Sequence, residues 1–277
     1  ATSGCVIDQT IANNGNLLTV SGDENLAIIG IISGSGGLAK TGAGTLTLSG
    51  DNAYTGVTTI SAGGITTVGA ERIADGSDVI VNGILTLGGD ETIANLSGSG
   101  GIGIGASTLT VIQAVNQTFS GIISGSGGLT KTGAGTLTLS GANAYTGVTT
   151  ISAGGITTVG ADRIADGSNV IVNGAFTLGG NETIGTLSGT AGGAISLGAN
   201  TLTVNQTAVG NMAGVISGTG GLTLSALSTQ MLTLSGLNTY SGPIAINSGI
   251  LRLGSTAAYG TGAGGISLGG VLELGVP

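Results

Sequence analysis

The chain repeats itself at long range, and that restricts its fold more than any single motif does. The run Gly30-Ile-Ile-Ser-Gly-Ser-Gly-Gly-Leu-Ala-Lys-Thr-Gly-Ala-Gly-Thr-Leu-Thr-Leu-Ser-Gly50 returns at Gly121 to Gly141 with one change, Ala39 to Thr130. Lys40 thus becomes Lys131, an offset of 91 residues. The match continues through Asn52 to Ile60 against Asn143 to Ile151, and through Arg72 to Ser77 against Arg163 to Ser168. A third, diverged copy opens at Gly214-Val-Ile-Ser-Gly-Thr-Gly-Gly-Leu222, with Leu224 in the lysine position. Asp8-Gln-Thr-Ile-Ala-Asn13 echoes Asp90-Glu-Thr-Ile-Ala-Asn95 and marks the tail of an earlier copy. Repetition on this scale means stacked copies of one unit, each burying its apolar side against the next. The expected organisation is one continuous β-solenoid over 1–277: a tail at 1–29, copies at 30–120 and 121–213, and an incomplete copy at 214–277, with the chain beginning and ending inside an array.

Within a copy the strand signals are short, rich in Thr, Val, Ile and Leu, and mostly end at Gly or Asn. Similar strands recur from Leu46 to Ile65 to Leu85 to Leu109, a spacing near one solenoid turn each, which gives about four turns per copy. In Thr-Leu-Thr-Leu the leucines are expected to face inward and stack while the threonines face water. Leu137→Asp is then expected to destabilise severely, since it buries a charge. Roughly 13 turns and about 60 Å of stacked strands would result. A β-hairpin is the competing reading of Val79-Ile-Val-Asn-Gly-Ile-Leu-Thr-Leu87. Copy three places Gly-Gly where Asn-Gly stood, at Ile266 to Leu274, which keeps only tolerance of positive φ. Turn chemistry does not separate the two; the regular spacing favours the solenoid.

Composition agrees. Gly supplies 59 of 277 residues and only 6% are charged, yet hydrophobic residues reach 40% and mean hydropathy is +0.52, so this is not a disordered linker. The net charge of −8, with five bases, argues against a nucleic-acid partner. A lone Cys5 rules out an intramolecular disulfide, which is compatible with secretion. Ser3-Gly4-Cys5 is like a lipoprotein processing site, but the residues before Cys5 are present, so lipidation is not expected. No apolar run reaches the ~20 residues of a membrane helix, and an export signal is expected outside this sequence.

The run Ile123-Ser-Gly-Ser-Gly-Gly-Leu-Thr-Lys-Thr-Gly-Ala-Gly-Thr-Leu-Thr-Leu-Ser-Gly-Ala-Asn-Ala-Tyr-Thr-Gly-Val-Thr-Thr-Ile-Ser-Ala-Gly154 resembles the passenger-associated transport repeat of autotransporters. Gly180-Asn-Glu-Thr-Ile-Gly-Thr-Leu-Ser-Gly189 and Thr201-Leu-Thr-Val204 resemble the segments C-terminal to that repeat in the same family, and the likeness covers essentially the whole chain. It implies an all-β, right-handed parallel β-helix, export by a C-terminal outer-membrane β-barrel, and a role at or beyond the cell surface. Copy three departs at Ser225-Ala-Leu-Ser-Thr-Gln-Met231, where Lys-Thr-Gly-Ala-Gly is lost.

No catalytic, cofactor or metal residue is assigned. Gly265-Ile-Ser-Leu-Gly269 has the nucleophile-elbow pattern, but the chain has no histidine base and Ser267 reads as a strand residue. Gly34-Ser-Gly-Gly37 lacks the Lys-Ser/Thr ending of a phosphate loop and reads as a corner. One Cys and no His make no structural zinc site. Asp23-Glu24 and Asp90-Glu91 are read as solvated acids, not calcium ligands, because the calcium nonapeptide is absent. Glu71-Arg72 with Asp75, and Asp162-Arg163 with Asp166, could be the acids of a polysaccharide-active solenoid. Because both sets repeat with the scaffold, they read instead as turns held by Asp-to-backbone bonds and a surface ion pair. Tyr54 and Tyr145 are expected to pack at corners. The functional expectation is a non-catalytic adhesive stalk on the cell surface, with a host surface or matrix ligand. The alternatives are a fibre or surface-layer subunit that self-associates through solenoid ends, and a polysaccharide-active enzyme.

Overall fold

The computed structural model describes residues 4–227, 229–261 and 264–275. Its described residues form short β-strands, with no α-helix and one 3-10 turn at Thr256–Tyr259. Two compact units are present, Ala1–Leu137 with Asn143–Gly147, and Thr138–Ala142 with Val148–Pro277. Each is a parallel β-solenoid; together they run through about 13 turns.

In the first unit each turn has three sides. One side is a sheet in which Leu26–Ile28, Thr45–Leu48, Gly64–Thr67, Ile84–Thr86, Gly101–Gly105, Ile122–Gly125 and Ala144–Tyr145 lie in that order. Its register stacks Leu26, Leu46, Ile65, Leu85, Ile102 and Ile123 in one column. From Leu46 onward these side chains are at most 1% exposed. Burying each aliphatic side chain is worth about 1.5–3 kcal/mol, so the column is a principal source of stability. A second side carries Leu18–Val20, Leu38–Lys40, Thr58–Ile60, Val79–Val81, Leu96–Gly98 and Gln117–Phe119. The third begins with Ile11–Ala12, Ile32–Gly34 and Ala53–Tyr54 and resumes with Glu91–Ile93, Leu109–Ile112 and Leu129–Thr132. Between those two groups a loop over 69–78 takes the place of a strand.

The second unit repeats the plan. Gly155–Thr158, Ala175–Thr177, Ala194–Ser196 and Val215–Ser217 form one side, stacking Ile156, Phe176, Ile195 and Ile216 with no exposure. Glu182–Ile184, Leu202–Val204, Leu222–Ser225, Ile244–Ser248 and Ile266–Leu268 form another.

The hairpin reading fails at its own turn. Val79–Val81 pairs in parallel with Thr58–Ile60 and Leu96–Gly98, whereas Ile84–Thr86 pairs with Gly64–Thr67 and Gly101–Gly105. Asn82 and Gly83 form a corner, and both their N–H groups donate to Ile60 O at 2.8 Å.

Two details differ from the sequence reading. Leu85 is followed in its column by Ile102, while Leu109 stacks between Glu91 and Leu129 on another side. The intervening strand, Gly101-Ile-Gly-Ile-Gly105, buries Ile102 and Ile104 while its alternating glycines disguise it as a flexible loop. The 91-residue copy is also not a whole number of turns. Leu38 lies beside Thr58, Thr58 beside Val79, Val79 beside Leu96, and Gly98 beside Phe119. Four turns on from Leu38–Lys40 the chain is thus back on the same side at Gln117–Phe119, and the equivalent strand Leu129–Thr132 lies two sides further along. Near-identical segments therefore serve different sides of the solenoid, which requires the sides to be interchangeable in width and corner geometry.

Candidate functional site

Among the buried polar groups, three repeated sets bear on the candidate sites, and each has a structural task. The first is the lysine of Lys-Thr-Gly-Ala-Gly. Lys40 and Lys131 are buried, and their Nζ groups donate to corner carbonyls, Thr41 O and Gly42 O (2.8 Å) in one copy and Thr132 O and Gly133 O (2.9 Å) in the other. Burial lowers the pKa of both, to about 8 for Lys131; for Lys40 the Asp23 carboxylate partly opposes the effect.

The second is Asn-x-Tyr, present at Asn52, Asn143 and Asn238. The Asn52 Oδ1 accepts Ile32 N–H at 2.7 Å and its Nδ2 donates to Arg72 O at 2.6 Å, tying three turns together. Asn143 accepts Ile123 N–H at 2.8 Å, and Asn238 accepts Ile216 N–H at 2.8 Å while donating to Ala258 O at 2.7 Å. The tyrosine two residues on is wholly buried at Tyr54, where its hydroxyl and Thr58 Oγ1 share a hydrogen bond of 2.7 Å. Thr58 Oγ1 meets Ser77 Oγ at 2.9 Å, and Ser77 Oγ donates to Gly56 O at 2.8 Å. Burial pushes the Tyr54 phenol well above its usual pKa. In copy three the threonine position is Ile244, and the buried Tyr240 hydroxyl has no hydrogen-bond partner. Thr58→Ile should reproduce that loss in copy one and cost about 1–3 kcal/mol, because Tyr54 is left with an unsatisfied hydroxyl. Urea denaturation checks it, and an unchanged midpoint would remove this chain of hydroxyls from the stability account.

The third is the loop 69–78 and its counterpart 160–169. Here one expectation is corrected: Glu91 is not a solvated acid but is 1% exposed. Its Oε1 accepts Ile73 N–H at 2.8 Å and its Oε2 accepts Arg72 N–H at 3.1 Å. Burial raises its pKa to about 7 against the pull of those two bonds, with Glu71 and Asp75 pushing the same way. Glu182 repeats the arrangement, accepting Ile164 N–H at 2.7 Å, with its pKa likewise raised to about 7 by burial. The turn is held by a glutamate from the next coil, and of the expected Asp-to-backbone bonds copy two has one, Asp162 Oδ1 accepting Thr183 N–H at 3.2 Å. The ion pair of Arg72 is made with Asp51, and Arg72 Nε also donates to Val68 O at 2.9 Å. Asp23, Glu24 and Asp90 are exposed as expected; Asp23 and Asp90 carboxylates accept Ala43 N–H at 3.0 Å and Thr108 N–H at 2.7 Å.

Ser267 is exposed on the strand Ile266–Leu268, in a chain without histidine. Asp75 and Asp166 are exposed while Glu91 and Glu182 point inward. Among the described residues no group of three or more His, Cys, Asp or Glu is placed to hold a metal ion. Gly34 ends the strand Ile32–Gly34 with φ of +108°, and the corner begins at Ser35; Cys5 is an exposed free thiol. The outer surface offers hydroxyls instead. Thr47, Thr66 and Thr86 are register neighbours on the first side of the first unit, followed by Gly103 and Ser124. Beside them a shallow groove opens over Gly64, lined by Thr45, Thr66, Ile84 and Thr86.

The passenger-associated-transport-repeat family model matches residues 38–66, 129–157 and 227–253. The third match begins at Leu227, within the stretch Ser225 to Met231 where copy three loses Lys-Thr-Gly-Ala-Gly. Over 95% of its length the chain is 36% identical to the adhesin BmaC autotransporter of Brucella suis biovar 1 (strain 1330), and it spans 8% of that protein. No solved structure matches the chain.

Proposed function

This chain belongs to the autotransporter passenger domains, at the cell surface or beyond it, and from that premise we propose that it serves as a non-catalytic adhesive stalk. The observation that carries the reading is the likeness to an autotransporter adhesin across nearly the whole chain. It is supported by polar interior groups that are committed to corners and loops, with hydroxyl-bearing rows left outside. Under this reading the partners are a translocator β-barrel in the outer membrane and a ligand on a host surface or matrix.

The chain can be fused to a translocator barrel and displayed on a non-adherent bacterium. Attachment to immobilised matrix proteins or epithelial cells is expected to rise over the barrel alone; equal attachment would overturn the adhesive role. The purified chain is expected to leave acidic and neutral polysaccharides intact. Cleavage that disappears in Asp75→Asn with Asp166→Asn would establish an enzyme instead.

A further inference from the structure

The loop 69–78 is fastened to the coil above it by two carboxylates that reach in opposite directions. Glu91, from the strand Glu91–Ile93, takes the N–H groups of Arg72 and Ile73. Glu71, from the loop, takes Thr92 N–H at 2.9 Å and the Thr92 hydroxyl at 3.0 Å, while Glu71 N–H donates to Asp90 O at 2.9 Å. Glu71 holds a left-handed φ of +52°, a strained conformation for a non-glycine residue that these bonds offset. Copy two preserves the device. Asp162 also sits at φ +52° and accepts Thr183 N–H at 3.2 Å, and Glu182 accepts Ile164 N–H.

Only one of the two carboxylates is dry. The titratable groups around Glu91 are Glu71, Arg72 and Asp75 of the loop and Asp90 beside it, with the neutral phenol of Tyr54 contributed by the coil below. The one cation among them directs its guanidinium to Asp51 and Val68 O. An ionised Glu91 is therefore buried among acids with two backbone donors as its compensation. Around Glu182 stand Asp162, Arg163 and the Thr158 hydroxyl, and Arg163 Nε donates to Val159 O at 2.7 Å.

We propose that these are proton-controlled clasps: with Glu91 and Glu182 protonated the two loops lie closed on the solenoid, and loss of the protons loosens them. An opened loop lets water reach the glutamate and returns it to ordinary carboxylate behaviour, so the closed form binds the proton more tightly than the open one. Below the ordinary glutamate range of ~4.3 both forms are protonated and closure is at full strength. As pH rises from there to about 7, where the closed-state carboxyls titrate, the open form has already lost its proton. Closure then weakens by roughly tenfold per pH unit. Above that range it changes no further.

Hydrogen exchange of the Arg72, Ile73 and Ile164 amides, corrected for intrinsic rates, tests this on the whole chain. Protection is expected to fall on the order of 100-fold between pH 5 and pH 8. In Glu91→Gln the single amide oxygen can keep only one of the two bonds; with that oxygen on the Ile73 side, protection at Ile73 should persist without pH dependence, while Ile164 keeps its own. Equal protection at both pH values in the parent, or pH dependence surviving at Ile73 in Glu91→Gln, would overturn the proposal. NMR titration of the parent's glutamate carboxyl carbons reads the same question without a variant. Two of them titrating near neutrality supports the clasps, and all of them titrating near the ordinary value ends the idea.

Discussion

Leu46→Asp is expected to abolish the cooperative thermal transition of the first unit, or to lower its stability by more than about 4 kcal/mol. Leu46 has no exposure and sits in register between Leu26 and Ile65. A carboxylate there would stand between two aliphatic side chains with no donor to receive it, and a solenoid gives it no route to water except by unstacking a turn. The same outcome is expected for Leu137→Asp, the equivalent residue 91 positions on, which is also fully buried. Thermal melting followed by circular dichroism checks both. A Tm within a few degrees of the parent would mean that the aliphatic columns do not hold the turns together.

Gly127→Ala is the second substitution with a large expected effect, although it adds only a methyl group. A Cβ at Gly127 would fall inside van der Waals contact of Ser107 O in the coil beneath. Gly36 and Gly220, its equivalents in the other copies, meet Asn16 O and Asn200 O in the same way. The glycine is required by this close approach of backbones, which hydrogen bonds such as Gly127 N–H to Gly105 O at 2.8 Å enforce. Overpacking against backbone cannot relax by rotamer change, so a loss of about 3 kcal/mol is expected in chemical denaturation. Gly101→Ala serves as the contrast. Nothing lies within 4 Å of a Cβ there, and its effect should stay within about 0.5 kcal/mol of the parent. Equal effects at the two positions would contradict the corner account.

Much of this architecture can be read from the residues alone, for a physical reason. Leu46, Ile65 and Leu85 lie on short alternating strands near one turn apart, and alternation with fixed spacing is what a stacked column demands. Ile102 is hidden because glycine supplies the outward positions of its strand, so the polar half of the alternation is missing. Burial of Lys40, Lys131 and Glu91 runs against the expectation that charge brings, since charged side chains normally stay exposed. Here the interior has corner carbonyls and loop N–H groups to satisfy, and a single charged side chain reaches them. The recurrence of the lysine at 91 residues, in a chain with five bases, is the available signal. The fractional turn count of a copy is not legible, since sequence period and structural period coincide only when the copy closes on a whole turn.

The stacking of parallel coils is tested most directly by paired cysteines introduced into a Cys5→Ser background. Thr66 and Thr86 are register neighbours on adjacent coils and both face outward, at a spacing that a disulfide spans. A hairpin about Asn82-Gly83 would instead place Thr86 opposite Val79. Mild oxidation should close Thr66→Cys with Thr86→Cys nearly completely and leave Val79→Cys with Thr86→Cys reduced. The reverse pattern would show the chain folding back on itself, and the solenoid account would be wrong.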